Sequence, residues 1–424
     1  MDFLIIGLFM LLALLGVPVA YALCLSSSFI LFSHLHVPQV MVSQIMYTGI
    51  DSFSFLAVPF FMLAGNFMSA GGVTKRLVNF AQALVGSFTG GLAQVVCVAG
   101  MFFAAISGSS AATTAAIGTT MIAEMEKKGY SREFATGVVA SAGTVGIVIP
   151  PSITMVVYGV VAGVSIGDLF VGGFAPGILM GVSMMFVSWL ISRKKGWVGE
   201  GKFSFKAVVV SFFDSFFALM TPVIIIGGIY SGIFTPTEAA AVAAVYGLVV
   251  GIFVYKELKL KDLPNIIYKA GISTTIIMFI VGAANVFGWL ITNMQVAQKV
   301  AQVFLGFSDS RIVFMLVLNV LLLIAGTMVN ASSAIVILTP ILLPIAIKLG
   351  IDPVFFGVLA TVNLAIGCIT PPVGLDLFVA SAITKVPVEK VVKAVMPFLG
   401  ILLVDLVILS VFPQIILFLP NLLK

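Results

Sequence analysis

The sequence predicts an all-α polytopic membrane protein, and its composition and hydropathy carry that prediction. Of the 424 residues, 61% are hydrophobic and only 9% are charged, and the mean hydropathy is +1.24. A soluble protein of this length needs far more charge to cover its surface. Apolar stretches of about 20 residues recur from end to end, as membrane-spanning helices require.

The positive charges indicate how the chain is oriented. The net charge is +5, but no basic face interleaved with aromatic residues occurs, so we expect no nucleic acid partner. Lys and Arg collect in short loops instead. When the chain is traced through its predicted spans, 17 of the 21 Lys and Arg residues fall on one side of the bilayer. The exceptions are Lys299, Arg311, Lys348 and Lys424. That side is predicted to be the cytoplasm, so the chain is expected to be a multi-pass protein of a bacterial inner membrane.

The apolar runs are not all simple spans. The first, Phe3 to Phe32, contains Gly16-Val17-Pro18 and is expected to break there, because proline interrupts a helix. It has no basic leader or cleavage site, and we expect it to remain as a span. An amphipathic piece at Thr74 to Gly86 is expected to lie at the membrane interface. Several later segments are too short to cross about 30 Å of hydrocarbon.

The short segments recur in the two halves of the chain. With a shift of 221 positions, residues 129–151 lie over 350–372 without a gap, and Pro150-Pro151 falls on Pro371-Pro372. Both halves share one order: a small polar tip, an apolar helix, a glycine turn, an apolar helix and a Pro-Pro break. Short, interrupted segments at matching places in two halves are typical of a transporter binding site.

The charges also indicate how the halves are related. The base of the first hairpin, at Glu126-Lys127-Lys128, falls on the cation-rich side, whereas the base of the second, at Lys348 to Asp352, falls on the opposite side. We therefore predict two inverted repeats, over 1–212 and 213–424, each with a re-entrant hairpin and a broken helix.

The tip of the first hairpin, Ser107 to Thr114, is a small polar cluster at membrane depth. Irregular backbone there is tolerated only where it is buried or lines a cavity. Unwound carbonyls and serine hydroxyls are hard oxygen ligands that suit Na⁺, and the break leaves further carbonyls free since proline lacks an N–H. The predicted ligands in this half come from the tip and the break: Ser107, Gly108, Ser109, Gly143, Thr144, Gly146 and Pro150.

The second half repeats this arrangement. Its predicted Na⁺ ligands are Gly326, Thr327, Asn330, Asn363, Gly367, Thr370 and Pro371. The alternative is that glycine and serine merely let helices pack closely, and a single cluster would favour that alternative. Two clusters, each paired with a Pro-Pro break, favour two pseudo-symmetric sites, and Na⁺ is the cofactor that we expect.

The same tips are the expected substrate site. No Lys or Arg falls in either cluster, so an anionic substrate would be held by helix N-termini and hydroxyls, with sodium close by. The candidate substrate-binding residues are Ser109, Ser110, Ser332, Ser333 and Asp376. A buried carboxylate such as Asp376 is costly and points to function by default. It could gate, hydrogen-bond a polyhydroxylated substrate or carry a proton, and pairing with a polar neighbour is an equal alternative.

Two further acidic residues are interpreted structurally. Asp405, in the middle of the last span, is expected to face a partner helix rather than the substrate. Glu238 is expected to complete a capping box with Thr235 at the start of a helix, with Pro236 at its first position.

The sequence argues against an enzyme and against an ATP-driven pump. A serine protease needs a base near its nucleophile, yet His34 and His36 share one loop far from the serine clusters. No metal-ligand spacing occurs in the sequence, and no Gly-x-x-x-x-Gly-Lys stretch continues into the Ser or Thr that a nucleotide-binding loop needs. A channel stays open as an alternative, although paired broken helices favour a carrier.

The chain resembles the large membrane subunit of tripartite ATP-independent periplasmic (TRAP) transporters, nearly from end to end. The stretches that carry the resemblance are Gly108-Ser109-Ser110-Ala111, Ile149-Pro150-Pro151-Ser152, Phe234-Thr235-Pro236-Thr237-Glu238-Ala239-Ala240, Leu349-Gly350-Ile351-Asp352-Pro353 and Thr370-Pro371-Pro372-Val373-Gly374-Leu375.

This resemblance implies an elevator-type transporter, in which a transport domain moves against a scaffold. It implies two partners, a small membrane subunit and a periplasmic protein that binds and delivers the substrate. Family substrates are carboxylates such as C4-dicarboxylates and sialic acids, and the chain is most similar to the sialic acid members. The resemblance places sodium at the two tips and breaks and makes Asp376 a substrate-side carboxylate. The nearest alternative is a self-sufficient sodium/anion symporter of similar fold.

Overall fold

The computed structural model describes residues 4–33, 38, 40–199, 201–296, 299 and 310–423, and every regular element in this part of the chain is helical. His34, His36 and Lys424 lie outside the described residues. The α-helices, numbered in chain order, are α1 Leu4–Leu14, α2 Val19–Ser33, α3 Val40–Ile50, α4 Ala57–Ala70, α5 Val73–Val85, α6 Gly91–Ser107, α7 Ser110–Lys127, α8 Arg132–Gly143, α9 Ile153–Ala162, α10 Ile166–Lys195, α11 Phe205–Tyr230, α12 Pro236–Val249, α13 Leu263–Asn293, α14 Arg311–Met328, α15 Ala331–Lys348, α16 Pro353–Gly367, α17 Leu375–Thr384, α18 Val388–Val411 and α19 Gln414–Leu422.

The predicted membrane architecture is confirmed. Within the described residues, eight helical segments are long and apolar enough to cross a membrane. Shorter apolar helices fall where the sequence predicts interrupted segments, at α6, α9, α16 and α17. A helix rises about 1.5 Å per residue, so the 10 residues of α9 or α17 cannot cross alone. Each must be one half of a broken span.

The structure confirms the predicted break in the first apolar run and differs from the apolar runs in two other places. The first run breaks as predicted, with α1 and α2 separated by a turn in which Gly16 has a φ of +82°. The short helix α3 was missed because its polar residues obscure the apolar pattern; it packs against α13, and none of its residues is fully buried. The last apolar run is two helices, because Pro413 interrupts it between α18 and α19.

The first hairpin, α6 and α7, enters and leaves on one side of the molecule. Its base is closed by Trp197, just after α10: the Gly90 N–H donates to the Trp197 carbonyl at 3.0 Å, and the indole N–H donates to the Gly129 carbonyl at 3.1 Å. The tip lies instead against the Pro-Pro break, where the Ile153 N–H donates to the Gly108 carbonyl at 3.4 Å. The predicted re-entrant hairpin is therefore present.

The two broken helices run in opposite directions. The hydroxyl of Tyr158, near the end of α9, donates to the Pro353 carbonyl at 2.7 Å, so the end of the first meets the start of the second. On the other face, Lys390 follows the second broken helix and forms an ion pair at 3.5 Å with Glu133, at the start of the first. The repeats are therefore inverted, while their division between residues 212 and 213 stays a prediction.

The helices form two groups that meet along a shared face. In one, α2, α3 and α4 pack against α13, and α4 and α11 pack against α12. In the other, α8, α10 and α16–α18 pack around the two hairpins. Between the groups, α13 packs against α15. The amphipathic helix α5 contacts both α11 and α6, so it is the covalent connection from the first group to the first hairpin.

The predicted capping box at the start of α12 is confirmed. The Thr235 N–H donates to Glu238 Oε2 at 2.8 Å, and the Glu238 N–H donates to Thr235 Oγ1 at 3.3 Å. Pro236 occupies the first helical turn, where a missing N–H costs nothing. The Thr237 hydroxyl donates to the Phe53 carbonyl at 2.9 Å. This motif therefore fixes the start of a helix and has a structural role.

Candidate functional site

The first hairpin tip is held by a small hydroxyl network. Gly108 has a φ of +63°, which ends α6, and Ser109 caps α7 with its side chain. The hydroxyls of Ser107 and Thr113 lie 2.8 Å apart, and the Thr113 hydroxyl donates to the Ser109 carbonyl at 2.9 Å. The tip is thus a fixed loop with its oxygens turned inward.

The first break lies directly against this tip. A Cβ on Gly146 would lie 2.6 Å from the Ser109 carbonyl oxygen, and a Cβ on Gly143 would collide with the Thr114 hydroxyl. Only glycine therefore lets break and tip approach this closely. Pro150 is joined to Pro151 by a cis peptide bond. The Thr144 hydroxyl donates to the Ser141 carbonyl at 2.7 Å, which orients its oxygen lone pairs away from that carbonyl and leaves them free to accept.

The second tip and break have the same backbone plan. Gly326 and Gly367 face each other, and a Cβ on Gly367 would lie 2.6 Å from the Gly326 Cα. The Gly374 N–H, just after the cis Pro371-Pro372 bond, donates to the Thr327 carbonyl at 3.1 Å. The predicted residues of this half are brought together as in the first half.

The side chains of the second tip and break form different hydrogen bonds from those of the first. The hydroxyls of Thr327 and Thr370 both donate at 2.8 Å to carbonyls of their own helices. The Asn330 side chain caps α15 by accepting the Ser332 N–H at 3.0 Å. The Asn363 amide donates to the Asn319 carbonyl at 2.9 Å and to its side-chain oxygen at 3.0 Å. Amide groups therefore stabilise this unit where hydroxyls stabilise the first.

Each unit also contains a buried oxygen, beside the contact of tip and break, that no described residue satisfies. The Thr114 hydroxyl oxygen and the Asn363 amide oxygen are both buried, and neither has a hydrogen-bond partner among the described residues. An unsatisfied buried polar atom is costly unless a water or an ion completes it. Oxygen donors of this kind, together with unwound carbonyls, fit Na⁺.

A cavity of about 240 Å³ joins the two tips. Ser109 and Ser110 line it from the first tip, and Asn330 and Ser332 line it from the second. The hydroxyls of Ser332 and Thr154, which come from opposite halves, lie 3.3 Å apart. The structure therefore brings most of the predicted substrate residues together, whereas the predicted Ser333 is buried beside the cavity without lining it.

Four helices begin at this cavity. The lining includes the first residues of α7, α9, α15 and α17, which are Ser110, Ile153, Ala331 and Leu375. A helix N-terminus presents free N–H groups and the positive end of the helix dipole. No Lys or Arg is among the residues that line the cavity. Attraction of the lining for an anion therefore has to come from backbone dipoles and hydroxyl groups.

Asp376 lies at the edge of this site. It is fully buried in the first turn of α17, and its N–H donates to the Cys368 carbonyl at 2.9 Å. Its carboxyl group faces the Ser110 hydroxyl, but neither oxygen has a hydrogen-bond partner of good geometry among the described residues. Ser110 also lines the cavity, so Asp376 can influence a bound substrate through it.

The second buried carboxylate is placed as predicted, outside the site. The Ser183 hydroxyl on α10 donates to Asp405 Oδ1 at 2.8 Å, so Asp405 on α18 faces a partner helix. Pairing a buried carboxylate with a hydroxyl donor reduces the cost of its burial.

Comparison with known proteins identifies the family. Residues 6–415 match the family described as the DctM component of the tripartite ATP-independent periplasmic transporter. The chain belongs to this family. As a TRAP large permease with eight apolar membrane-length helices in its described part, it is a multi-pass inner-membrane transporter component rather than an enzyme.

The relatives of this TRAP permease carry different substrate names. The C4-dicarboxylate TRAP transporter large permease protein DctM of Pseudomonas aeruginosa is 46% identical over 88% of this chain and 87% of its own length. The sialic acid TRAP transporter large permease protein SiaM of Vibrio cholerae is 40% identical, over 96% and 95% respectively. The isethionate TRAP transporter permease protein DctMQ of Oleidesulfovibrio alaskensis is 45% identical over 97% of this chain, which spans 65% of that longer protein. The predicted similarity to sialic acid members stays a prediction.

Solved structures of transporters share the fold of this TRAP permease. The crystal structure of the YdaH transporter of Alcanivorax borkumensis matches with a TM-score of 0.67 at 16% identity, covering 95% of this chain and 98% of that one. MtrF of Neisseria gonorrhoeae, from a class of antimetabolite efflux pumps, matches with a TM-score of 0.60 at 13% identity, covering 96% and 94%. At these identities the likeness concerns the fold alone.

Sequence reasoning missed several polar residues of the site. Ser273 lines the cavity from α13, in the other helix group, and no local motif marks it. Asn319 holds Asn363 from α14 and also donates to the Ser410 hydroxyl at 2.9 Å. Thr114 and Thr154, by contrast, lie in or next to motifs that the sequence shows. Thr114 lies within the first polar cluster, and Thr154 follows the first Pro-Pro break by three positions.

Proposed function

We propose that this TRAP permease performs sodium-coupled uptake of a small organic carboxylate. The observation that carries the proposal is the convergence of four helix N-termini on one cavity without Lys or Arg in its lining. Backbone N–H groups at helix N-termini bind carboxylates, and the dipoles favour a negative charge there. Serine and threonine hydroxyls around the cavity supply further donors.

Sodium ions supply the driving force in this proposal, one in each tip–break unit. In the first unit the Ser109 carbonyl, the backbone around Gly146 and the Thr114 hydroxyl oxygen would hold the ion. In the second unit the Asn363 amide oxygen joins the backbone around Gly326 and Gly367. Each ion would lie behind a tip that lines the cavity. Its charge would therefore favour an anionic substrate.

Sialic acid is the substrate we favour, and a C4-dicarboxylate is the next candidate. Resemblance of the motifs supports the first, and the names of relatives include both. Asp376 adds a physical argument. Its carboxyl group faces Ser110, which lines the cavity, and can accept the Ser110 hydroxyl hydrogen, so that the Ser110 oxygen is oriented to accept a hydrogen bond from a hydroxyl-rich sugar acid.

The transport cycle moves one helix group against the other. The group with both hairpins carries the cavity, and α13 of the first group supplies a wall through Ser273. Sliding of the hairpin group along α13 would expose the cavity alternately to each side, as an elevator mechanism requires. A small membrane subunit and a periplasmic binding protein complete the transporter in this proposal.

The first test is uptake into proteoliposomes that contain this chain with its small membrane subunit. Radiolabelled sialic acid or C4-dicarboxylate is supplied under an inward sodium gradient, with and without the binding protein. We expect uptake of sialic acid that requires both. Uptake with sodium alone would favour the self-sufficient symporter. Uptake of the dicarboxylate alone would keep the mechanism and replace the substrate, and sodium-independent uptake would overturn the coupling.

A variant pair tests the site itself. Replacing Ser109 and Ser332 together by alanine removes two hydroxyls that line the cavity and should weaken substrate binding by roughly thirtyfold, because each lost hydrogen bond contributes on the order of 1 kcal/mol. Thr119→Ala is the matched control, since Thr119 is exposed on α7 and donates to the Ala115 carbonyl of its own helix. Equal uptake by both variants would exclude this cavity as the substrate site.

A further inference from the structure

The helix α5 forms the covalent connection from the first helix group to the first hairpin. The chain leaves α4, turns at Gly71-Gly72 and enters α5, which leads into the first hairpin. α5 packs against α11 of one group and α6 of the other. Any displacement of the hairpin group, as the proposed function requires, must therefore be accommodated along α5 or at its ends.

Arg76, in the first turns of α5, is held by four contacts, all on the non-hairpin side. Its Nη1 lies 2.6 Å from Glu257 Oε1 and donates to the Gly72 carbonyl at 3.0 Å. Its Nε lies 3.6 Å from Asp214 Oδ1, an ion pair without a hydrogen bond. Its guanidinium lies 3.8 Å from the centre of the Tyr255 ring. Only 17% of the Arg76 side chain is exposed.

The Tyr255 ring that contacts Arg76 is itself held in place by hydrogen bonds to α11. The Tyr255 hydroxyl donates to the Asp214 carbonyl and accepts the Ala218 N–H, both at 3.2 Å. Tyr255 follows a π-helical turn, Val250–Val254, which widens the end of α12. Such turns are often found at functional sites. The receiving surface therefore belongs to α11 and to the end of α12 and cannot adapt freely to a moving α5.

The backbone at the turn allows this close approach. Gly72 has a φ of +80°, and a Cβ there would collide with the Glu257 carboxylate. A Cβ on Gly71 would lie 2.9 Å from the Gly251 Cα, in the π-helical turn. The start of α5 thus rests backbone to backbone on the end of α12. No described contact of Arg76 reaches the hairpin group.

We propose that Arg76 anchors the start of α5 to α11 and α12, so that α5 pivots about this point while its far end follows the first hairpin. Arg76 is a positioning residue: it touches neither substrate nor sodium, and it acts through the orientation of α6. Arginine suits the role because its planar group holds two carboxylates and stacks on an aromatic ring at once. The neighbouring Lys75 is exposed and has no such role.

The inference rests on the proposed function, and its test separates rate from binding. In the reconstituted transporter, Arg76→Gln should lower the maximal uptake rate roughly tenfold, with the substrate KM and the half-saturating sodium concentration within about twofold of wild type. Lys75→Gln should behave as wild type. Arg76→Glu should be slower still, and Arg76→Glu combined with Glu257→Arg should recover part of the rate. Melting temperatures of the purified variants identify any that fail to fold.

A second measurement does not depend on transport. Spin labels at Asn79→Cys on α5 and Val210→Cys on α11, both exposed sites, report the distance between the two helices in the purified protein. We expect one narrow distance distribution in the otherwise wild-type chain and a broad one after Arg76→Gln. An unchanged rate and an unchanged distribution in Arg76→Gln would overturn the anchor. Absence of uptake by the wild type would overturn the proposed function, and the distance distribution would then decide on the anchor alone.

Discussion

The two tip–break units share a backbone and differ in their side chains. In both, a glycine of the break lies against the tip so closely that a Cβ would not fit, at Gly146 and at Gly367. Both contain a cis Pro-Pro bond at the break. The first unit is stabilised by the hydroxyls of Ser107 and Thr113, and the second by the amides of Asn319 and Asn363.

The difference indicates which functions the two units can share and which belong to one unit alone. Backbone carbonyls and helix N-termini occur in both units, so functions that need them, the binding of sodium and of an anion, can be shared. Side chains that occur in one unit alone break the symmetry. Asp376 belongs to the second unit and faces Ser110 of the first. The substrate is therefore expected to be recognised asymmetrically, whereas the proposed sodium sites share one backbone plan.

The largest effect is expected from alanine at the shared glycines. Gly146→Ala forces the first break away from the Ser109 carbonyl, and Gly367→Ala forces the second away from Gly326, so each should lower sodium-driven uptake on the order of 100-fold. Gly400→Ala, where nothing lies within 4 Å of the new Cβ, is the control. If only one of the two variants lost uptake, the units would not be equivalent in backbone.

The two buried carboxylates provide the next contrast. Asp376→Asn should lower sialic acid uptake by roughly tenfold, because a carboxyl group orients the Ser110 hydroxyl more strongly than an amide does. Asp405→Asn should change uptake by no more than about twofold, since an amide oxygen can still accept from Ser183. Equal losses in the two variants, measured as initial uptake rates, would remove the special role of Asp376.

Sodium dependence separates the two units. Thr114→Val and Asn363→Leu each remove one buried, unsatisfied oxygen, and each should raise the half-saturating sodium concentration about tenfold, equivalent to about 1.4 kcal/mol. Asn319→Leu breaks the same amide contact from the other side but keeps the Asn363 oxygen, so its sodium dependence should stay close to wild type. A sodium titration in which all three curves coincide would contradict ion binding at these oxygens.

The smallest effect concerns two serines in equivalent tips. Ser110 lines the cavity, whereas Ser333 is buried without lining it. Ser110→Ala should raise the substrate KM by about fivefold, in keeping with one hydrogen bond of about 1 kcal/mol, and Ser333→Ala should leave the KM within about twofold. A larger effect at Ser333 would place the substrate deeper in the second tip than the cavity indicates.

The tips and breaks could be predicted from the sequence because their chemistry is local. Glycine, proline and serine clusters interrupt an apolar helix wherever they occur, so Gly146 and Gly367 were found from composition and order alone. The reason these positions need glycine is tertiary, since each opposes another segment of backbone. The fold class followed in the same way, because hydropathy reports on the surroundings of a helix rather than on its partners.

The missed residues depend on contacts between distant segments. Ser273 lies on a long apolar helix and becomes a site residue only because α13 packs against the second hairpin. In the sequence, Arg76 is one of several positive charges assigned to the cytoplasmic side. The two acidic residues that contact it, Asp214 and Glu257, lie in α11 and after α12. No periodicity or motif links such positions, so the structure was needed to find them.

The crossed contacts between the halves have a consequence for the order of synthesis. α7 is covered by α17, and α9 is covered by α15, so each half completes the other. When the first half has entered the membrane, α7 and α9 still lack the neighbours that α17 and α15 supply in the finished protein.

Those neighbours come from the last third of the chain. A nascent protein that stops before α17 leaves uncovered the surface of α7 that packs against α17 in the finished protein. The interlocked halves thus make completion of the chain a condition for a closed interior.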